Sequence, residues 1–345
     1  MIITKTPFRM SFFGGGTDLQ EYFKENGGAV LSTTFDKYCY VNVRHLPRFF
    51  DYRTELSYSK IERVSSTDEI KHPLISNAMQ MLDMHDIRLS YEADLPARSG
   101  LGTSSSFAVG MLHAFYALKG KYVDKKKLAD EAIYLERVLC GENGGWQDQV
   151  AAAFGGFNRI NFKEDGYEVL PVIISKEKKR KLNECLLLFF TGFTRFSADI
   201  HRANVVHGGL AEKKACLDEL YSLVDEAEYV LTDKNTNLDE FGKMLDYSWK
   251  LKRQTGTKVT TDMIDDLYEK GIKAGALGGK LLGAGGGGFF IFYAAPEYHN
   301  RVKQAMHELL YVPFNFENSG TKVLYYAPED YEKLEGGSLK CQNSI

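Results

Sequence analysis

The sequence feature that most constrains this chain is the segment Pro96-Ala-Arg-Ser-Gly100-Leu-Gly102-Thr-Ser-Ser-Ser106, which runs directly into an apolar helical pattern. Upstream, Ile87-Arg-Leu-Ser-Tyr91 alternates apolar and polar residues as a half-buried strand does. Downstream, Phe107, Met111, Phe115 and Leu118 recur at helical spacing. The loop therefore joins a strand to the start of a helix. Gly100 and Gly102 permit positive φ and close approach of backbone to a ligand, and Thr103, Ser104 and Ser105 can cap the helix or reach a metal-bound phosphate. Unblocked N–H groups at a helix N-terminus suit an anion, so the chain reads as a phosphate handler. An ordinary capped turn is the plainer alternative. No Gly-x-x-x-x-Gly-Lys-Ser/Thr loop occurs.

A second cluster, Gly14-Gly15-Gly16-Thr17-Asp18, follows Pro7-Phe-Arg9-Met-Ser-Phe-Phe. Consecutive glycines weaken the strand they end, so they are expected to make room for a ligand beside Asp18, whose carboxylate can accept hydrogen bonds from sugar hydroxyls. A tight turn with Asp18 capping a helix at Leu19 to Glu25 fits equally well. A third cluster, Lys280-Leu-Leu-Gly283-Ala-Gly285-Gly286-Gly-Gly288-Phe-Phe, contains Gly-x-Gly-x-x-Gly. A dinucleotide fingerprint must open a helix, whereas Phe289-Phe-Ile-Phe-Tyr293 reads as a strand. Close approach of two backbones, or of backbone to substrate, explains these glycines better.

Between the loops, a helix from about Lys125 to Cys140 carries an apolar stripe of Leu128, Ala132, Leu135 and Leu139. Glu136 falls roughly 50° from the centre of that arc, where a carboxylate is costly unless paired or metal-bound. A metal ligand and a boundary salt bridge are both open. Asp148, after Gly144-Gly145 and before Ala151-Ala-Ala153, is placed to project into a confined site.

The chain has 345 residues, 44% of them hydrophobic, enough for two lobes with sizeable cores. A net charge of −3 gives no reason to expect nucleic acid or an acidic membrane as partner. Five cysteines without a CxxC pair point to a reducing cytoplasm rather than to disulfides or zinc. No signal peptide is expected at the N-terminus, and no apolar run approaches the roughly 20 residues of a membrane span.

Strands are predicted near residues 2–13, 29–34, 38–44, 156–162, 167–174 and 185–190. Long helices are predicted near 197–232, 238–254 and 260–274, and then a closing β-α-β at 289–294, 297–310 and 322–327. The expected division is an α+β lobe over residues 1–175, a second over 176–335 and a tail over 336–345.

The three glycine clusters, in this order over nearly the whole chain, resemble the three motifs of the GHMP small-molecule kinases. Trp146-Gln147-Asp148-Gln149 is similar to a stretch of their galactokinase branch, and the detailed spelling of the clusters looks most like bacterial D-glycero-D-manno-heptose 7-phosphate kinases. The resemblance implies a ribosomal-protein-S5-like N-terminal domain, a ferredoxin-like C-terminal domain, and ATP with Mg²⁺ between them.

It also implies roles by residue. Pro96, Ser99, Gly100, Leu101, Gly102, Thr103, Ser104 and Ser105 would wrap the ATP phosphates. Ser104 and Glu136, twelve residues before Asp148, would hold Mg²⁺. Asp148 would accept the proton of the sugar hydroxyl, with Arg9 as its partner. Gly15, Gly16, Thr17, Asp18, Gly285 and Gly286 would line the sugar site. Arg195 and Lys280 are candidates for a distal phosphate, although a surface role suits both at least as well.

Galactokinases carry Gly-Glu-His-Thr-Asp in the first motif, whereas this chain has Gly14-Gly15-Gly16-Thr17-Asp18, which argues against galactose and for a differently shaped or larger sugar. The expected activity is ATP-dependent phosphorylation of the anomeric hydroxyl of D-glycero-D-manno-heptose 7-phosphate, feeding nucleotide-activated heptose. C1 phosphorylation of fucose, arabinose or a uronic acid is the nearest alternative. A silent sugar sensor fits poorly with retention of Asp148, Arg9 and Glu136. The sequence leaves both a monomer and a homodimer open.

Overall fold

A computed structural model describes residues 1–47, 49–97, 99–192, 210–256, 259–283 and 285–328. Two sheets dominate those residues. The larger follows the path β13-β1-β2-β5-β3-β4, comprising β1 (Ile2–Phe13), β2 (Gly28–His45), β3 (Thr54–Ser57), β4 (Ile61–Val64), β5 (Ile87–Ala93) and β13 (Lys322–Tyr326). Off this path, β6 (Phe157–Lys163) and β12 (Phe316–Glu317) pair with β2, and β7 (Gly166–Pro171) pairs with β6.

The two strands expected at 29–34 and 38–44 are one continuous strand, β2. Asp36 and Lys37 form a bulge in it, because Pro7 pairs with Tyr38 and Phe8 with Phe35. The bulge is anchored from across the molecule, since the Asp36 carboxylate accepts from both the backbone N–H and the side-chain amide of Asn315.

Helix α3 (Thr103–Leu118) lies against this sheet. A Cβ at Gly110 would come within 2.7 Å of Thr6 Oγ1, which shows how closely helix and β1 approach. Around α3 gather α2 (Pro73–Met81), α4 (Lys125–Tyr134) and α5 (Gln147–Phe154), whose buried faces share one core with Val41, Leu89, Met111 and Phe115. The helix expected to run through Cys140 changes character at Leu135, where a π-helical turn occupies Leu135–Leu139. Wide turns of this kind re-aim side chains and recur at functional sites.

The smaller sheet has the order β11-β8-β10-β9, formed by β8 (Leu186–Phe190), β9 (Gly278–Leu281), β10 (Phe289–Tyr293) and β11 (Leu310–Tyr311), all antiparallel neighbours. In chain order this is 4-1-3-2, the ferredoxin-like arrangement. Between β8 and β9 the chain forms α7 (Leu210–Thr232), α8 (Asp239–Gln254) and α9 (Asp262–Lys273). The part of the expected helix over 197–209 lies outside the described residues.

Several expectations are corrected. Helix α6 (Lys176–Cys185), capped by Ser175, precedes β8; its run of lysines hid a buried edge at Leu182 and Cys185. The helix expected over 297–310 is only α10 (His299–Ala305) after a short 3₁₀ turn, because Leu310 and Tyr311 pair with β8 instead. The last strand does not close a β-α-β unit in the smaller sheet: β13 crosses back and pairs with β1.

The two sheets are joined by a second core in which Phe8, Met10, Phe12 and Phe13 of β1 meet Leu188, Leu223, Phe241 and Ile291. Phe12 sits at its centre, 5.3 Å from the Phe241 ring and 5.6 Å from Phe157. Each such ring contributes about 2–3 kcal/mol by burial, so β1 acts as a common wall that fixes the glycine turn at its end. Among the described residues no helix is long and apolar enough to cross a membrane.

Candidate active site

The loop expected to bind phosphate is held by the third glycine cluster and by Arg9. Gly102 adopts the left-handed conformation (φ 73°) and no side chain caps α3, so the hydroxyls of its first turn do not close off the helix N-terminus. Gly100 (φ +81°) packs against the third glycine cluster, where a Cβ would lie 2.4 Å from the Leu282 carbonyl oxygen. A Cβ on Gly288 would lie 2.2 Å from the Ser99 carbonyl oxygen. The third cluster is therefore used, at these glycines, for close approach of two backbones. Ser99 is fully buried with its hydroxyl unpartnered, Leu101 is buried, and Pro96 is exposed at the outer end of the loop.

Arg9 on β1 ties this loop to Asp148 in the first turn of α5. Its Nε donates to Asp148 Oδ1 at 2.7 Å, and a second guanidinium nitrogen, Nη2, lies 2.7 Å from the same oxygen. Nη1 donates to the Gly100 carbonyl at 2.8 Å. Asp148 Oδ2 faces the loop, since a Cβ at Gly102 would meet it at 3.4 Å. The Asp148 side chain stays 23% exposed, so a substrate hydroxyl can reach it, whereas Arg9 is buried at 5%. The arrangement is a carboxylate fixed by one cation and presented beside a phosphate-sized cradle.

Asp18 is buried beside this pair. Its Oδ1 accepts from the Gly16 N–H at 3.0 Å and its Oδ2 from the Gln147 N–H at 3.3 Å. It does not cap the following helix, α1 (Gln20–Asn26), whose N-cap is Leu19 without a side-chain bond. Burial foremost, and then the charge of Asp148, raises its pKa above the ordinary carboxylate value, while the backbone donors oppose the rise. A Cβ at Gly145 would come within 1.7 Å of Asp18 Oδ2, so any side chain there would displace the Asp18 carboxylate. Thr17 has a structural place: its hydroxyl lies 2.8 Å from the carbonyls of both Gly14 and Ala29. Gly15 has room beside it, the nearest group to an added Cβ being Ser11 Oγ at 3.6 Å.

The π-helical turn brings Glu136 into the interior, 1% exposed. Its Oε2 accepts from Ser105 Oγ at 2.6 Å and from the Gln149 amide. Ser105, rather than the exposed Ser104 one residue earlier, thus touches this carboxylate. Gln149 is itself fully buried and its Oε1 has no partner. A buried carboxylate with neutral donors and an orphaned carbonyl oxygen next to it suits a cation. Among the described residues no three His, Cys, Asp or Glu side chains gather as a metal cluster.

Of the remaining expected residues, Gly285 and Gly286 lie on the backbone at Val259, with the Gly286 N–H bonded to its carbonyl at 3.0 Å. Lys280 is buried, not at the surface, and its ammonium donates to the Phe12 carbonyl at 2.7 Å. Arg195 lies outside the described residues. A further residue, Lys252, was not singled out by the sequence reading. It is half-buried near the end of α8 and donates to the Gly283 carbonyl. The signal was present, because Phe241, Leu245, Ser248 and Lys252 follow one helical stripe whose first three members are buried.

Comparisons with known proteins agree with this architecture. Residues 72–156 match the family described as GHMP kinases N terminal domain, and residues 228–312 match GHMP kinases C terminal. The chain is 30% identical over 337 residues to a D-glycero-alpha-D-manno-heptose 7-phosphate kinase of Campylobacter jejuni, covering 93% of this chain and 98% of that protein. It is 25% identical over 330 residues to a bifunctional fucokinase/GDP-fucose pyrophosphorylase of Arabidopsis thaliana, covering 88% of this chain and 31% of that one. The crystal structure of a D-glycero-D-manno-heptose 1-phosphate kinase from Bacteroides thetaiotaomicron shares the fold, with a TM-score of 0.76 at 24% identity over 94% of this chain and 99% of that one. With the two family domains in order and a full-length relative at this identity, the chain belongs to the GHMP kinases.

Proposed function

We propose that this kinase transfers the γ-phosphoryl group of ATP to the anomeric hydroxyl of D-glycero-D-manno-heptose 7-phosphate, giving the 1,7-bisphosphate and ADP. The observation that carries the reading is the Asp148 carboxylate, held by Arg9 against Gly102 of the phosphate loop. Asp148 takes the proton of the attacking hydroxyl. The sugar oxygen bonds to the γ-phosphorus while the bond to the bridging oxygen breaks and its electron pair leaves with ADP. Arg9 keeps Asp148 ionised and aimed, and its bond to the Gly100 carbonyl fixes the distance between base and loop.

Asp18 accepts from sugar hydroxyls in the adjoining space lined by Gly15 and Gly16, and the N–H groups opening α3 bind phosphate oxygens. Glu136, which Ser105 contacts, together with Ser104 at the loop would hold Mg²⁺, which when bound would supply positive charge to the phosphate oxygens. The absence of Glu and His from the Gly14-Gly15-Gly16 turn supports a sugar differently shaped from, or larger than, galactose. The heptose phosphate is favoured by the likeness to the Campylobacter jejuni enzyme over 98% of that protein's length.

The test is ADP release with Mg·ATP across heptose 7-phosphate, galactose, fucose, arabinose and glucuronate. Turnover confined to the heptose phosphate is expected. Turnover with fucose alone would replace the substrate in favour of the second likeness, and silence across the panel with nucleotide bound would favour a sensor.

A further inference from the structure

Two lysines of the C-terminal part of the chain are drawn into the interior beside the proposed catalytic pair, and neither forms an ion pair among the described residues. Lys280, 3% exposed, donates to the carbonyl of Phe12, the residue next to the end of β1. Lys252 donates to the carbonyl of Gly283. Gly283 is pressed onto the phosphate loop, a Cβ there falling 2.3 Å from Gly100 Cα, and Gly100 is the residue whose carbonyl binds Arg9. Lys252, Gly283, Gly100, Arg9 and Asp148 are thus linked by direct contacts.

Among the described residues, the charged groups that face the two lysines do not balance. Arg9, Lys252 and Lys280 supply three cationic groups against Asp148 and Asp18, and Asp18 is itself pushed toward its neutral form by burial. Burial first, and then Arg9, holds the Lys252 ammonium down to about 8, with Asp18 opposing. Burial, Lys252 and Arg9, in that order, hold Lys280 well below the usual lysine value. Cations packed together with only carbonyl partners are costly until an anion arrives. Lys252 is the one anchored on the glycine that touches the nucleotide loop.

We propose that Lys252 is a further catalytic residue, moving its ammonium from the Gly283 carbonyl onto the γ-phosphoryl group of ATP during transfer. The inference rests on the kinase reading of this site and not on which sugar is used. Lys280 stays on the Phe12 carbonyl and holds the end of β1. During transfer Lys252 stabilises charge on the non-bridging γ-oxygens, a contact that ADP cannot make.

The experiment is calorimetric binding of Mg²⁺ complexes of ADP and of β,γ-imido-ATP to the wild type, Lys252→Met and Lys252→Arg, together with kcat for each. ADP affinity in the variants also reports that they fold. The expected result is a loss of about tenfold or more in β,γ-imido-ATP affinity for Lys252→Met, with ADP affinity unchanged, a matching fall in kcat, and partial recovery in Lys252→Arg. Equal loss for both nucleotides would make Lys252 a prop for the glycine loops. Unchanged nucleotide affinities with a raised KM for the sugar phosphate would assign it to the acceptor. Either outcome overturns the proposal, whereas failure of the wild type to bind any nucleotide would overturn the kinase reading itself.

Discussion

Asp18 and Gly145 show how single residues would define the proposed acceptor side of the site. The Asp18 carboxylate fills the volume that a side chain at 145 would need, and the same aspartate takes the N–H of Gln147, one residue before the proposed base. Replacing Gly145 by Ala therefore displaces Asp18 without touching the phosphate loop. The expected outcome in steady-state kinetics is a KM for the sugar raised about tenfold or more, while ATP affinity by calorimetry stays within a few-fold of wild type. A variant with unchanged sugar KM would remove Asp18 from the acceptor site. Glu136 illustrates a second point at this scale: its place on an apolar stripe marked it in the sequence, but its contact with Ser105 rather than Ser104 depends on the π-helical turn, which no local residue pattern announces.

At the scale of elements, the third glycine cluster and the loop expected to bind phosphate pack directly on each other. Gly100 and Gly283 face each other with no room for a Cβ on either, and both have positive φ. Gly283→Ala is expected to cost about 1–3 kcal/mol of stability from backbone strain alone, measured by urea unfolding, and more if the two loops are forced apart. An unchanged unfolding midpoint would show that the loops do not pack as described. Close approach of two backbones was legible for the third cluster, because its Gly-x-Gly-x-x-Gly leads into a strand and not a helix. What each glycine approaches was not legible, since the partners Leu282, Ser99 and Val259 are distant in sequence. The same holds for β2: its two halves read as separate strands on either side of Asp36 and Lys37, whereas the register against β1 makes these two a bulge inside one strand. Lys252 was overlooked because a lysine ending an apolar stripe also describes a side chain whose stem is buried and whose head is in water.

Over the whole molecule, β1 is the element that both halves share. It pairs with β2 and β13 in the larger sheet, sends Phe12 and Phe13 into the core between the sheets, and presents Arg9 toward Asp148. The two family-matched segments, 72–156 and 228–312, each contribute one side of the site, the phosphate loop with Asp148 from the first and the lysines with the third glycine cluster from the second. The arrangement leaves Asp148, bound by Arg9, partly exposed. The most direct test of its role is the turnover of Asp148→Asn with Mg·ATP and the accepted sugar, with nucleotide affinity measured on the same sample. The account predicts a fall in kcat of about 10²–10⁴-fold, with ATP affinity within a few-fold of wild type. Turnover close to that of the wild type would contradict it and remove Asp148 as the base.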